Sequence, residues 1–322
     1  MKKHSLDYFH VLISRFSIRM HPDGAFRGRS KEWLFDVNRL KKKLVFFENV
    51  TLANVISFTR KPHLYLILID EELPTEIRTK LQELIDDFDW IQLKPVPPGS
   101  LLHLTSLGNL LGELDITAPY IVTSNLDDDD AIGVQYFENL HREISKSIAQ
   151  GDSFHWFGSI DMLEWDILPS NSAPLGYLKP YSGGVMFILS TGYSVLSKNF
   201  ETGPTIFTLS HSRCLDFLTR QHRRSNFDRK GRFRFRLRLL LNMATSFNWQ
   251  AVRSLLSRRE LATRLDFQCK EKFKGLIINH GDNLQRERIE HGKEQREVLN
   301  PDGLTEQFNI KADRVISKLQ NL

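Results

Sequence analysis

Cysteine is nearly absent from this chain: 322 residues contain two, Cys214 and Cys269, with no CxxC pair. That excludes a disulfide scaffold and points to a reducing compartment. Long apolar runs are missing as well. No window approaches the roughly 18 consecutive apolar residues of a spanning helix. The opening "MKKHSLDYFHVLISRFSIR" is broken by Asp7, His10 and Arg15, so it lacks the hydrophobic region of a signal peptide. There is no internal repeat and no low-complexity linker. These absences lead to the expectation of a soluble, cytoplasmic protein. The composition is 41% hydrophobic and 26% charged, which is globular rather than disordered. A net charge of +5 fits an anionic partner, phosphate or membrane surface, without choosing between them.

What is present is an alternation of short apolar runs with helical periodicity. "YFHVLIS" (8–14) and "HLYLILID" (63–70) are continuously apolar, as in strands covered on both faces. Between them, Trp33, Leu34, Val37, Leu40, Leu44 and Phe47 predict a helix within 31–58. Residues 73–88 predict a second helix, 90–96 a third strand, 101–114 a third helix and 119–125 a fourth strand. This order implies a Rossmann-type α/β fold, with a mostly parallel central sheet flanked by helices. Residues 133–150 predict a further amphipathic helix. The boundaries expected are a single α/β domain over 1–284 and a charged, peripheral helical tail over 285–322.

Ligands in such sheets bind at the carboxyl ends of the strands. There the chain reads "TSNLDDDDAIG", with four consecutive aspartates, Asp127 to Asp130. Adjacent carboxylates repel, and a divalent cation relieves that repulsion; hard oxygen donors suit Mg2+ or Mn2+. Asp127 and Asp129 form a D-x-D, with Asp130 close behind, which fits a metal–diphosphate site. The competing reading, in which acidic residues cap the next helix, serves a single aspartate better than four. An EF-hand is excluded because its alternating pattern and distant Glu are missing.

The ordered series "HVLISRFSIR", "WLFDVNRLKKKLVFFENVTLANV", "LYLILID", "IVTSNLDDDDAIG" and "LIINHGDNL" resembles the putative rhamnosyltransferase family of bacterial GT-A-type glycosyltransferases. Its signature has Arg-Leu-Asp-x-Asp-Asp-Ala at the fourth strand; here Asn125 stands where the family more often has Arg. The resemblance implies a GT-A-like fold and transfer of a sugar, rhamnose by the family's name, in surface polysaccharide synthesis. It implies a nucleotide-diphosphate-sugar donor such as dTDP-rhamnose and a glycan or lipid-linked acceptor. It also implies Mn2+ or Mg2+ held by Asp127, Asp129 and the late His280, with Asp127, Asp128 and Asp130 facing the donor.

Other residues complete this expectation. Arg15 and Arg19 follow the first strand, where guanidinium groups suit a phosphate. An inverting transfer needs a carboxylate to deprotonate the acceptor. The candidates are Asp161, Glu164 and Asp166 in "SIDMLEWD" and Asp216 and His211 in "SHSRCLDF", with Asp161 preferred because it follows a strand-like run. In "DRKGRFRFRLRLLLN" (228–242) arginines alternate with apolar residues. The wider basic region, 220–259, offers peripheral contact with an anionic membrane. The alternative from another class is a polyanion- or nucleic-acid-binding protein using that same region. The acidic cluster argues against nucleic acid.

Overall fold

In β1 (Tyr8–Phe16) and β2 (Leu64–Asp70) the apolar residues do not alternate with polar ones, so both faces must be covered. Seven of the nine β1 residues and all of β2 are buried. The computed structural model describes residues 7–19, 30–100, 107–112, 114, 116–152, 154–158, 161–167, 173–182, 191–198, 203, 205–207, 268–269, 275–280 and 297–322. β3 (Ile91–Val96) carries Pro95, which cannot donate to a ladder, and it forms the sheet edge. β4 (Tyr120–Asn125) pairs with β1 on the opposite side from β2, so the parallel portion runs β3-β2-β1-β4. The chain builds outward from β1 through β3 and then returns to the other flank of β1. That reversal makes β1/β4 the switch point at which α/β sheets bind ligands.

The parallel expectation ends at β4. Next come β9 (Ser194–Ser197), antiparallel to its neighbours β4 and β6 (Phe154–Gly158), and then β10 (Gln268–Cys269). A second sheet, unforeseen from sequence, has the order β12 (Glu297–Val298), β8 (Tyr177–Ser182), β7 (Asp161–Asp166), β11 (Gly275–Asn279), β5 (Ala131–Ile132). The fold is therefore α/β with two mixed sheets.

The helix expected in 31–58 is divided. α1 (Lys31–Leu34) is capped by Ser30, and α2 (Val37–Phe46) restarts at Asp36, whose carboxylate accepts the Arg39 amide at 2.8 Å. α2 continues into a π-helical segment (Phe47–Leu52) and α3 (Ala53–Val55). α4 (Thr75–Ile85) and α6 (Tyr136–Ala149) lie where expected; of the third helix, α5 (Leu107–Leu111) falls among the described residues.

The C-terminal segment corrects the tail expectation. Residues 285–296 lie outside the described residues, but α7 (Pro301–Phe308) and α8 (Ala312–Gln320) are part of the core. Leu304, Phe308, Val315 and Ile316 pack with Phe46, Val50, Trp165, Leu276 and Ile278. The physical reason is that each short helix carries an apolar stripe that needs covering. Asn309, at φ 56, turns the chain between them in the left-handed region that asparagine tolerates. Asn54 ties three segments together: its Nδ2 donates to the Ile132 and Phe308 carbonyls, both at 2.8 Å, while its Oδ1 accepts the Ile132 amide at 2.9 Å.

A buried polar chain crosses the same region. Tyr8 hydroxyl meets His141 Nδ1; His141 Nε2 lies 3.0 Å from His10 Nδ1, and His10 Nε2 lies 2.8 Å from Ser124 Oγ. Ser124 Oγ continues to Ser194 Oγ at 2.6 Å. Burial holds both imidazoles neutral: His10 titrates well below the ordinary histidine range, and His141 is pushed down to about 3.

Two outcomes follow. Asn54→Ala strands buried amide and carbonyl groups and is expected to lower unfolding stability by about 2–4 kcal/mol in urea titration. The two histidines take up protons in the unfolded chain near pH 6.5 but not in the fold. Their stabilisation is thus complete above that pH and declines as pH falls toward the folded values. Between pH 6.5 and 5 each removes about 2 kcal/mol, and urea midpoints across that window should show a smaller decline in His141→Gln than in the parent.

Candidate functional site

The site grows from the β1/β4 register. Ile13 pairs with Asn125, so Arg15 and the loop after β4 project together from the carboxyl ends. Ser14 Oγ donates to the Leu126 carbonyl at 2.6 Å and receives the Tyr65 hydroxyl at 2.8 Å, pinning loop to strand. Beyond this anchor the four aspartates alternate in burial. Asp128 and Asp130 are 5% and 4% exposed, whereas the side chains of Asp127 and Asp129 are 32% and 20% exposed.

Each carboxylate has its own partner, which separates the charges. Asp127 accepts from Arg15 Nη2 at 3.0 Å and from Asn125 Nδ2 at 3.4 Å. Asp129 Oδ2 lies 2.9 Å from His280 Nε2, and the imidazole stacks on Phe46 with ring centres 4.5 Å apart. Asp128 pairs with Lys43 at 2.5 Å. Burial pushes the Asp128 carboxyl up to about 6, against the pull of Lys43 and with help from the charges of Asp129 and Asp127. Asp130 accepts the Thr191 hydroxyl at 2.5 Å and the Ile278 amide at 3.2 Å. Burial, with repulsion from Asp129 and Asp127, raises its carboxyl well above the ordinary range. Gly192 has φ 78 and lies against the Tyr136 ring, so a Cβ there would come within 3.0 Å of it. This turn sets Thr191 over Asp130.

Several expectations are met by different placements. Arg15 does stand beside the loop. Arg19, expected at the donor phosphate, is instead 6% exposed, its guanidinium bound to Asp70 at 2.8 and 2.9 Å and to Glu72 at 2.7 Å. Hydrogen bonding to Asp70 raises the Arg19 pKa. Burial works against the Asp70 carboxylate, but Arg19 and two backbone amides hold it below the usual range. This pair closes the ends of β1 and β2. Asp128 and Asp130, expected to contact the donor, are turned inward because Lys43, Thr191 and Ile278 offer them partners. Of the expected metal set, Asp129 and His280 come together, while Asp127 is held by Arg15. Among the described residues no three metal-type ligands converge.

The register also locates the candidate bases along β7. β7 runs parallel to β11, with Leu163 beside Leu276 and Asp166 beside Asn279. Asp161 begins the strand, roughly 16 Å from its far end at 3.3 Å per residue, whereas Asp166 sits one residue short of His280. Glu164 is buried, 3.3 Å from Lys179 and 3.4 Å from Asn279, and burial raises its carboxyl pKa despite Lys179. Asp216 and the basic region 220–259 lie outside the described residues. Lys43, Phe46 and Thr191 were not anticipated. Lys43 is one of three consecutive lysines, and nothing in the run distinguishes it from Lys41 or Lys42.

Residues 10–154, a little under half of the chain, match the sequence profile of a family described as "Putative rhamnosyl transferase". The resemblance stated from sequence is borne out over that segment, which runs from β1 into β6 and includes all four aspartates. Comparison with curated proteins finds no match. Among solved structures, a mannose-1-phosphate geranyltransferase from Thermus thermophilus is 12% identical, with 85% of this chain and 74% of that chain covered and a TM-score of 0.27. A mannose-6-phosphate isomerase from Helicobacter pylori is 12% identical, with 59% and 70% covered and a TM-score of 0.24. At these scores neither carries an argument about this chain.

The two inward aspartates are expected to be structural. Asp130→Asn can still accept the Ile278 amide and place its own amide against Thr191, so its stability should lie within about 1 kcal/mol of the parent. Asp130→Ala should lose about 2–3 kcal/mol. Equal stability of the two variants in urea titration would contradict the role.

Proposed function

We propose that this protein is a metal-dependent glycosyltransferase that moves a sugar from a nucleotide-diphosphate donor to a glycan or lipid-linked acceptor. The family match supports a glycosyltransferase-like activity. The observation that carries the finer reading is the alternation at the switch point: Asp127 and Asp129 face outward, and His280 stands 2.9 Å from Asp129. Rhamnose as the sugar follows from the family's description alone.

The donor set fits a hard divalent cation. Mg2+ is held by one or two carboxylates plus substrate phosphates rather than a full protein cage, and imidazole suits Mn2+. Asp129 and His280 would hold it, and when bound it supplies neutralisation of the departing diphosphate. The chain's own residues do the rest. Phe46 fixes the His280 ring by stacking, and Lys43 keeps Asp128 from adding its charge to the opening. Asp127 holds Arg15 beside the same opening, where the guanidinium can meet a phosphate oxygen. Asp161 stays the candidate for removing the acceptor proton, because Asp166, nearer His280 in register, is 2% exposed.

Asp129→Asn keeps the shape and removes the charge. A thermal-shift screen of nucleotide sugars with and without Mn2+ should show Mn2+-dependent stabilisation of the parent by one donor class. The variant should lose that shift, and its turnover should fall at least about a hundredfold. Unchanged turnover in Asp129→Asn would refute the assignment.

A further inference from the structure

The amino ends of the strands carry a second opening, remote from the aspartate loop. A cavity of about 530 Å³ lies between Arg60 and the flank of α6 formed by Glu138, His141, Arg142, Ser145 and Lys146. That volume is in the range of small-molecule pockets. Spacings of three and four residues put these α6 side chains on one side of the helix. Tyr8, the first residue of β1, abuts the cavity through Arg60, whose Nη2 donates to the tyrosine hydroxyl at 3.2 Å. The aspartate loop follows the other end of the sheet, one strand length away, or roughly 25 Å at 3.3 Å per residue.

The cavity is open and its lining is largely apolar by area, but most of its charged groups are cationic. Arg60, Arg142 and Lys146 face one carboxylate from within the cavity, Glu138, and a second at its margin, Glu143, which lies 3.1 Å from Lys146. Among the described residues neither Arg60 nor Arg142 forms an ion pair, so both guanidinium groups retain donors for a ligand. His141, 1% exposed, is locked beneath the cavity, with one ring nitrogen on Tyr8 and the other on His10. It therefore serves as a rigid floor, and recognition falls to the two arginines and the lysine. Guanidinium forks pair with carboxylate and phosphate oxygens alike, and a phosphoryl group offers these cations three acceptor oxygens where a carboxylate offers two.

We infer that this cavity is an anion site for a small phosphorylated molecule, formed by Arg60, Arg142 and Lys146 and separate from the aspartate loop. The probe is inorganic pyrophosphate, titrated calorimetrically against the full chain in EDTA so that no divalent cation bridges it to Asp129. The parent should bind saturably. Arg142→Gln, an exposed position, should weaken binding about tenfold or more while keeping the parent's melting temperature without ligand. Asp129→Asn should bind as the parent does. Equal affinity in Arg142→Gln and parent would overturn the inference, as would loss of binding in Asp129→Asn, which would place the anion at the other end of the sheet. Vesicles of phosphatidylglycerol separate a free phosphate ester from a lipid headgroup. Pelleting that depends on Arg142 would overturn the small-molecule assignment, and pelleting alike for parent and Arg142→Gln supports it.

Discussion

Four neighbouring carboxylates cannot all share one environment, and the way this loop separates them governs what surrounds it. Two are taken into the protein, where a lysine, a threonine hydroxyl and a backbone amide receive them. Two stay at the opening, facing an arginine and a histidine. The inward pair organises the scaffold: through Asp130 the loop reaches both β11 and the Thr191 turn, and through Asp128 it reaches α2. The outward pair is then fixed by default, because its neighbours in sequence are anchored.

This arrangement depends on elements far apart in the chain. α2 supplies Lys43 and Phe46, β11 delivers His280, and the C-terminal helices pack behind both in one apolar cluster. The C-terminal helices are thus part of the support of the site rather than an appendage. Asn54 makes the same connection with hydrogen bonds, joining α3 to β5 and to the end of α7.

Much of the parallel core was legible in sequence. β1, β2 and β4 announce themselves as apolar runs, α4 and α6 by their periodicity, and the aspartates by their place after β4. The second sheet was not legible, because its strands are short and drawn from residues 131 to 298. Their pairing is nonlocal and leaves no periodic trace. The break at Asp36 was missed because its apolar spacing continues across the cap. Which carboxylates point outward was equally hidden, since it is decided by Lys43, Thr191 and the Ile278 amide, none close in sequence to the loop. Arg19 illustrates the converse: a guanidinium after β1 invites a phosphate, yet Asp70 at the end of β2 is nearer.

The central claim is that the outward carboxylate and the stacked imidazole share a cation. Anomalous diffraction at the manganese edge, from crystals soaked with Mn2+ and a nucleoside diphosphate, tests it most directly. The account predicts a single peak within about 2.0–2.3 Å of both Asp129 and His280. A peak bound instead by Asp128 or Asp130, or none at all with the nucleotide clearly seated, would contradict it.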